Sequence, residues 1–288
     1  MGPLISVVVN TLNEERNLPH ALRSVHAWAD EIVVVDMYSQ DRTAEIAAQF
    51  GAKVCLHKGP GFDFPPREFA VAQASGDWVL ILDADELVPV ALSRELRSIT
   101  GAADADVVLV PRLNYLLGSP MMYSGWGPKE DAQPRFFKKG KIRASSIAHQ
   151  DFTPAPGART LKLRYNGNNA IIHFNYLDEV QFLEKLNRYT SIEAQQAWAR
   201  GEQATPLRAL VASAREFKLR FIEREGFRDG WRGFYLSLFM AFYRLATFAK
   251  MTELDRVGNR EAVEAIYSRE REKVLAEYET EATSSTAP

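Results

Sequence analysis

The sharpest local feature of the sequence is Asp83-Ala84-Asp85. Side chains two residues apart in an extended segment point to the same side, so two such carboxylates can serve one cation together with that cation's other ligand. Oxygen ligands of this kind favour Mg2+ or Mn2+ over zinc. A bare Asp-x-Asp is common in solvated loops; this one follows directly on the apolar run Trp78-Val79-Leu80-Ile81-Leu82. Two other apolar runs also end in polar, acidic segments. Asn10-Thr11-Leu12-Asn13-Glu14-Glu15 follows residues 5–9, and Asp36-Met37-Tyr38-Ser39-Gln40-Asp41 follows residues 31–35.

The elements that must hold these segments are legible from periodicity. Residues 5–9, 31–35, 52–56, 78–82 and 106–110 read as strands, and those apolar on both faces belong in the middle of a sheet. Between them, residues 15–29 carry Leu18, Leu22, Val25 and Trp28 at helical spacing, and residues 42–50, 67–74 and 89–99 are helical as well. Alternating strands and helices imply βαβ units and a parallel sheet, whose ligands bind beyond the carboxyl ends of the strands. None of these strand ends carries a Gly-rich dinucleotide fingerprint or a Walker lysine, which argues against a Rossmann dehydrogenase and a P-loop NTPase.

Beyond residue 110 the rhythm changes. Residues 111–175 hold Gly, Pro, Asn and scattered aromatics, with short strands at 161–165 and 170–174, and suit an antiparallel extension with long loops. The pattern is helical from residue 177 to about residue 278, before a small, polar tail from about 279. The expected division is a sheet domain over 1–175 and a helical region over 176–288.

Composition narrows the function classes. The 288 residues are 46% hydrophobic and 25% charged, and 35 Lys and Arg against 37 Asp and Glu leave a net charge of −2. That is ordinary globular usage, without the strongly basic footprint of a general nucleic-acid binder. The single cysteine, Cys55, cannot form an intrachain disulfide, which suits a reducing compartment. The first residues lack signal-peptide features, so a cytoplasmic location is expected.

Three segments together carry a family resemblance. Val-Val-Asn-Thr-Leu-Asn-Glu-Glu, then Asp-Glu-Ile-Val-Val-Val-Asp-Met-Tyr-Ser-Gln-Asp-Arg-Thr, then Arg67 ahead of Ala-Ser-Gly-Asp-Trp-Val-Leu-Ile-Leu-Asp-Ala-Asp-Glu, resemble family 2 glycosyltransferases of the GT-A fold. Downstream, Gly125-Trp126, Glu130-Asp131-Ala132-Gln133-Pro134-Arg135-Phe136-Phe137-Lys138-Lys139-Gly140, Ala148-His149-Gln150 and Ile172-His173 resemble the branch that contains lipopolysaccharide-core β-glucosyltransferases. The resemblance spans roughly residues 4 to 255 and is strongest over the first 90.

The resemblance implies an α/β GT-A fold, mostly parallel with an antiparallel extension, followed by a C-terminal helical region. It implies an inverting transfer from a nucleotide-diphosphate sugar, a UDP-sugar by preference, to a saccharide or lipid-linked acceptor. Thr11, Asn13, Glu14 and Asp36 would form the pocket for base and ribose, Arg67 would reach the base or diphosphate, and Asp83 with Ala84 would lie on the ribose side. Asp85 would hold Mg2+ or Mn2+, joined by His149, with His173 the other candidate near the metal or diphosphate. Glu130 and Asp131 match the acidic pair that supplies the general base, Asp131 being the better placed. Arg135 would steady phosphate or acceptor. Leu12 replaces an aromatic found in many relatives, and Met37-Tyr38 replaces a small Ser-Gly.

Residues 205–250 carry nine Lys and Arg against four Asp and Glu, a local +5, and residues 231–248 within them hold seven aromatics that include Trp231, Phe234 and Tyr235. This combination suits an anionic membrane surface, which would put the protein at the inner face of the cell membrane; the alternative is a helix packed on the sheet domain or against a second copy. A sugar nucleotidyltransferase would need a Gly-rich loop after the first strand, and a catalytically dead nucleotide-sugar-binding scaffold would be expected to lose Asp83, Asp85 or Asp131.

Overall fold

The structure is a computed structural model describing residues 2–58, 67–102, 104–144 and 152–284. The chain divides into two compact units, Met1–Gln181 with Arg220–Phe234, and Phe182–Leu219 with Tyr235–Pro288.

The first unit is built on a mixed sheet. Strands β1 (Ile5–Thr11), β2 (Glu31–Asp36), β3 (Lys53–Leu56) and β4 (Trp78–Asp83) alternate with helices α1 (Leu18–His26), α2 (Thr43–Gln49) and α3 (Arg67–Gln73). They pair in parallel in the order β3-β2-β1-β4. After the short β5 (Glu86–Leu87) and helix α4 (Val90–Ala102) come β6 (Val107–Leu116), β7 (Ser119–Pro120), β8 (Ala132–Lys138), β9 (Ile142–Ala144), β10 (Phe152–Pro154), β11 (Thr160–Lys162) and β12 (Ile171–Tyr176). The sheet continues from β4 through β8, β6 and β12 to β5. This is the GT-A arrangement implied by the resemblance, with one refinement. β8 runs antiparallel to both β4 and β6, while β11 and β12 run parallel to β6, so the extension is mixed rather than purely antiparallel.

Apolar residues on both faces of the central strands explain their position. Val7, Val9, Val34, Leu80, Leu82 and Phe136 pack with Leu18 and Leu22 of α1 and Leu92 and Leu96 of α4. On the opposite face, Val8, Val33, Val35, Ile81 and Phe137 pack with Ala70 of α3 and with Phe152. β8 inserts at the centre because consecutive Phe136 and Phe137 bury on opposite faces, Phe136 stacking on Trp78 at 4.7 Å between ring centroids. Helix α1 starts at Leu18 rather than near residue 15, with Pro19 in its first turn, because the residues before it are drawn into loop contacts.

The helical elements are α5 (Glu179–Ala199), α6 (Pro206–Phe217), α7 (Gly230–Arg256) and α8 (Arg260–Ser284). Between α6 and α7 lie a π-helical stretch, Lys218–Glu223, and a short 3-10 turn, Gly226–Asp229. In the second unit Ala194 and Ala197 of α5 pack on Met251 of α7, and Thr205 caps α6 by accepting from the Arg208 backbone amide.

Candidate active site

The carboxyl ends of β1 and β2 are laced together. Asp36 is 2% exposed, and its carboxylate accepts from the backbone amide and the hydroxyl of Ser39. The Thr11 hydroxyl lies 3.5 Å from the same carboxylate. Asn13 adopts φ of +57°, a region Asn tolerates better than most residues, and its side-chain oxygen accepts from the Gln40 amide at 2.8 Å. The Asn13 amide donates to the Ser39 hydroxyl and the Glu14 amide to the Thr43 hydroxyl, both at 2.8 Å. Thr11, Asn13, Glu14 and Asp36 therefore belong to one loop pair, as the sequence leads one to expect. Tyr38 stands beside them with φ of +65° and 47% exposure, so its ring projects outward rather than filling the loop.

At the end of β4 the pattern is different. Strand geometry stops at Asp83, and the chain turns through Ala84 and Asp85, so the two carboxylates take different partners. Asp83 receives Arg67 Nη2 and Arg135 Nη2, each at 2.8 Å, one on either oxygen. Burial pushes its carboxyl upward, but Arg135 and Arg67 more than offset this and hold it well below the ordinary carboxylate range. Ala84 is buried in the apolar cluster with Leu82, which leaves only its backbone for a ligand. Arg135, expected at phosphate or acceptor, is 6% exposed and also reaches the fully buried Glu86 at 3.3 Å. Its charge is spent inside the protein, because the fully buried Glu86 beside the partly buried Asp83 needs a cation. Glu86 in turn accepts from the Asp83 backbone amide at 2.9 Å.

The network continues into the acidic pair. Asp131 accepts from Arg112 Nε at 2.9 Å, Asn114 Nδ2 at 2.7 Å and Gln133 Nε2 at 2.9 Å. Burial raises its carboxyl, but the Arg112 charge and these hydrogen bonds bring it below the usual range, which keeps it ionised at neutral pH. Glu130 turns elsewhere and pairs with Arg224 at 3.4 Å. The turn before them is set by Gly127, where a Cβ would lie 2.1 Å from the Met122 carbonyl oxygen. His173 of β12 closes the chain of contacts: its Nδ1 is 2.7 Å from Asn114 Oδ1, and its Nε2 is 3.5 Å from Asp85 Oδ2.

Asp85 and His173 therefore offer one carboxylate oxygen and one imidazole nitrogen side by side. Among the described residues no group of three or more His, Cys, Asp or Glu side chains could hold a metal ion. That donor set suits Mg2+ or Mn2+ sharing its shell with phosphate oxygens and water, and does not suit a closed zinc site. His149 lies outside the described residues. Three participants escaped the sequence reading: Glu86, Arg112 and Asn114. For Arg112 and Asn114 the visible signal was the alternation Arg112-Leu113-Asn114, which puts two polar side chains on one side of β6, whereas Glu86 stood in the acidic run after the fourth strand with no role assigned to it.

The basic residues before and at the start of α7 have partners within the first unit. Arg220 and Arg232 donate to the Ser124 and Leu117 carbonyls, and Arg228 pairs with Glu225. No helix of the described residues is long and apolar enough to cross a membrane.

Residues 6–161 match the family model described as glycosyl transferase family 2. The chain is 28% identical over 255 residues to a lipopolysaccharide core biosynthesis glycosyltransferase, LpsC, of Rhizobium meliloti, covering 86% of this chain and 91% of that protein. It is 29% identical over 259 residues to an uncharacterised glycosyltransferase of Rickettsia typhi, covering 87% of each. Among solved structures, the S. aureus TarS 1-349 fragment overlaps with a TM-score of 0.44 at 15% identity, over 89% of this chain and 92% of that one. Glucosyl-3-phosphoglycerate synthase from Mycobacterium tuberculosis, in complex with Mn2+, UDP and glucosyl-3-phosphoglycerate, overlaps with a TM-score of 0.45 at 18% identity, over 71% and 82%.

Proposed function

The chain belongs to glycosyl transferase family 2, and from that membership we propose that it is an inverting, cation-dependent enzyme that moves a sugar from a UDP-sugar to a saccharide or lipid-linked acceptor of the cell envelope. The observation that carries this reading is the single polar network joining Asp83, Asp85 and Asp131 across β4, β8, β6 and β12. The core-biosynthesis relative supports the acceptor class.

In this reading the first unit binds the donor. The laced loops holding Thr11, Asn13, Glu14 and Asp36 receive the base and ribose, Asp83 lies on the ribose side, and Arg67 lines the side toward the diphosphate. The acceptor hydroxyl attacks the anomeric carbon on the face opposite the diphosphate; the new carbon–oxygen bond forms as the bond to the diphosphate breaks. Asp131 takes the hydroxyl proton, since it is ionised and held in one orientation by three donors. Glu130 lies outside that cluster and acts at most through the surrounding charge. Asp85 and His173 would hold Mg2+ or Mn2+, which when bound supplies positive charge to the departing diphosphate. Arg135 serves the site by neutralising Asp83 and Glu86.

Incubation with a panel of UDP-, GDP-, CDP- and dTDP-sugars, scored for binding and for slow donor hydrolysis with and without Mn2+, tests the reading. UDP-sugar selectivity with loss of turnover in chelator and in Asp85→Asn is the expected result. Binding of none of the panel, or full activity in chelator, rejects it.

Helix α7 favours an additional partner. Tyr235, Leu238, Phe242 and Leu245 recur at spacings of three and four and are all exposed, forming an apolar stripe. We propose that this stripe meets the anionic membrane that carries a lipid-linked acceptor. Sedimentation with anionic liposomes at low salt should recover the protein, and Phe242→Ser should reduce recovery; a stable dimer in light scattering with no liposome binding would assign the stripe to a second copy.

A further inference from the structure

Asn114 is 1% exposed and stands between the two halves of the site. Its Nδ2 donates to Asp131 Oδ2 at 2.7 Å and to the Trp126 carbonyl at 2.8 Å. A backbone carbonyl and an ionised carboxylate can only accept, so the amide has one orientation that satisfies both. Its Oδ1 then faces His173 Nδ1 at 2.7 Å. Because Oδ1 also can only accept, the proton of a neutral His173 must sit on Nδ1, and Nε2 turns its lone pair toward Asp85, 3.5 Å away. A lone pair facing a carboxylate is repulsive, and a shared cation removes that repulsion.

We propose that Asn114 is a positioning residue that couples the two ends of the reaction: one amide aims the Asp131 carboxylate and fixes the tautomer of His173 that can bind a divalent cation with Asp85. The inference rests on the assignment of Asp131 as base and of Asp85 and His173 as the cation pair. Second-layer contacts of this type orient ligands and are worth roughly 10- to 100-fold in metal affinity or activity. Arg112, two residues earlier on the same strand, donates to the same carboxylate oxygen at 2.9 Å, so Asp131 is held by two side chains from one side of β6.

Two substitutions separate the halves. Asn114→Leu removes both functions at similar volume. Asn114→Asp keeps an acceptor for His173 but replaces the donor to Asp131 with a second carboxylate. The measurements are nitrogen-15 histidine spectra of the full chain at pH 8, with His173→Gln used for assignment, and Mn2+ affinity in the presence of UDP. Steady-state kinetics and a thermal melt for folding complete the set.

Wild-type protein should show the Nδ1–H tautomer at His173. Asn114→Leu should lose it, bind Mn2+ roughly 10- to 100-fold more weakly and turn over at least about tenfold more slowly. Asn114→Asp should hold Mn2+ within about threefold of wild type while losing turnover to a similar extent. An Nε2–H tautomer or an imidazolium at His173 in the wild type overturns the proposal whether or not the variants fold. So does a folded Asn114→Leu with wild-type Mn2+ affinity and turnover. Unchanged turnover in Asp131→Asn instead removes the underlying assignment of the base, and the two failures are distinct.

Discussion

The two sides of the candidate site use carboxylates differently. At the ends of β1 and β2, Asp36 and Asp41 accept from hydroxyls and backbone amides of neighbouring loop residues, so their charge sets loop shape. At the ends of β4 and β8, Asp83, Glu86 and Asp131 are met by Arg67, Arg135 and Arg112 from other elements, so their charge is balanced by side chains brought from a distance. The first arrangement gives a preformed cradle whose loss weakens binding. The second holds ionised groups out of water, where losing one partner leaves an uncompensated charge.

The largest break in this comparison is at the base. Asp131→Asn should lower kcat by about 10^2- to 10^4-fold while UDP affinity stays near wild type, because the amide cannot take the acceptor proton. Titration calorimetry alongside turnover measures the split, and a matching loss of UDP affinity would move Asp131 to the binding side.

Arg135→Leu comes next. It takes away the cation shared by Asp83 and Glu86, leaving Arg67 on the one and Arg112 on the other, and should cost about 1–3 kcal/mol of stability, read in urea unfolding. A loss below about 1 kcal/mol, the range of an exposed pair, would contradict the burial that sets it apart from the loop acids.

The pH profile sharpens the contrast further. Arg112 is the main influence holding the Asp131 carboxyl down against burial, so Asp131 itself should contribute no acidic limb to wild-type kcat/KM above the ordinary carboxylate range. Removing the charge in Arg112→Gln leaves burial in command, raises the carboxyl pKa and moves the acidic limb to higher pH. A limb that stays in place would mean that Asp131 is not the group titrating.

On the loop side the effects should be smaller. Asn13→Ala loses the bond to the Gln40 amide and places a Cβ-only side chain at positive φ, costing about 1–2 kcal/mol and raising the donor KM with kcat unchanged. The smallest effect belongs to Tyr38, which holds φ of +65° where glycine would sit without strain. Tyr38→Gly should raise stability by about 1 kcal/mol or less, seen as a small increase in Tm.

The sequence determined the frame and much of the chemistry by itself. Four strands and four helices of the first hundred residues were legible because doubly buried strands are continuous apolar runs and the helices between them keep a 3.6-residue period. The acids at three strand ends were legible because a parallel sheet presents its carboxyl ends to ligand. What the sequence left open was pairing at long range. Nothing in the 111–175 region announces that β8 lies between β4 and β6, since a run containing Pro134, Phe136 and Phe137 has no clear period of two. Only that insertion brings Arg135 to Asp83, and only the adjacent register of β6 and β12, with His173 opposite Asn114, lets one amide meet both Asp131 and His173. The physical reason is that strand periodicity reports which face of a residue is buried, whereas the partner of a buried charge is chosen by the tertiary contacts that surround it.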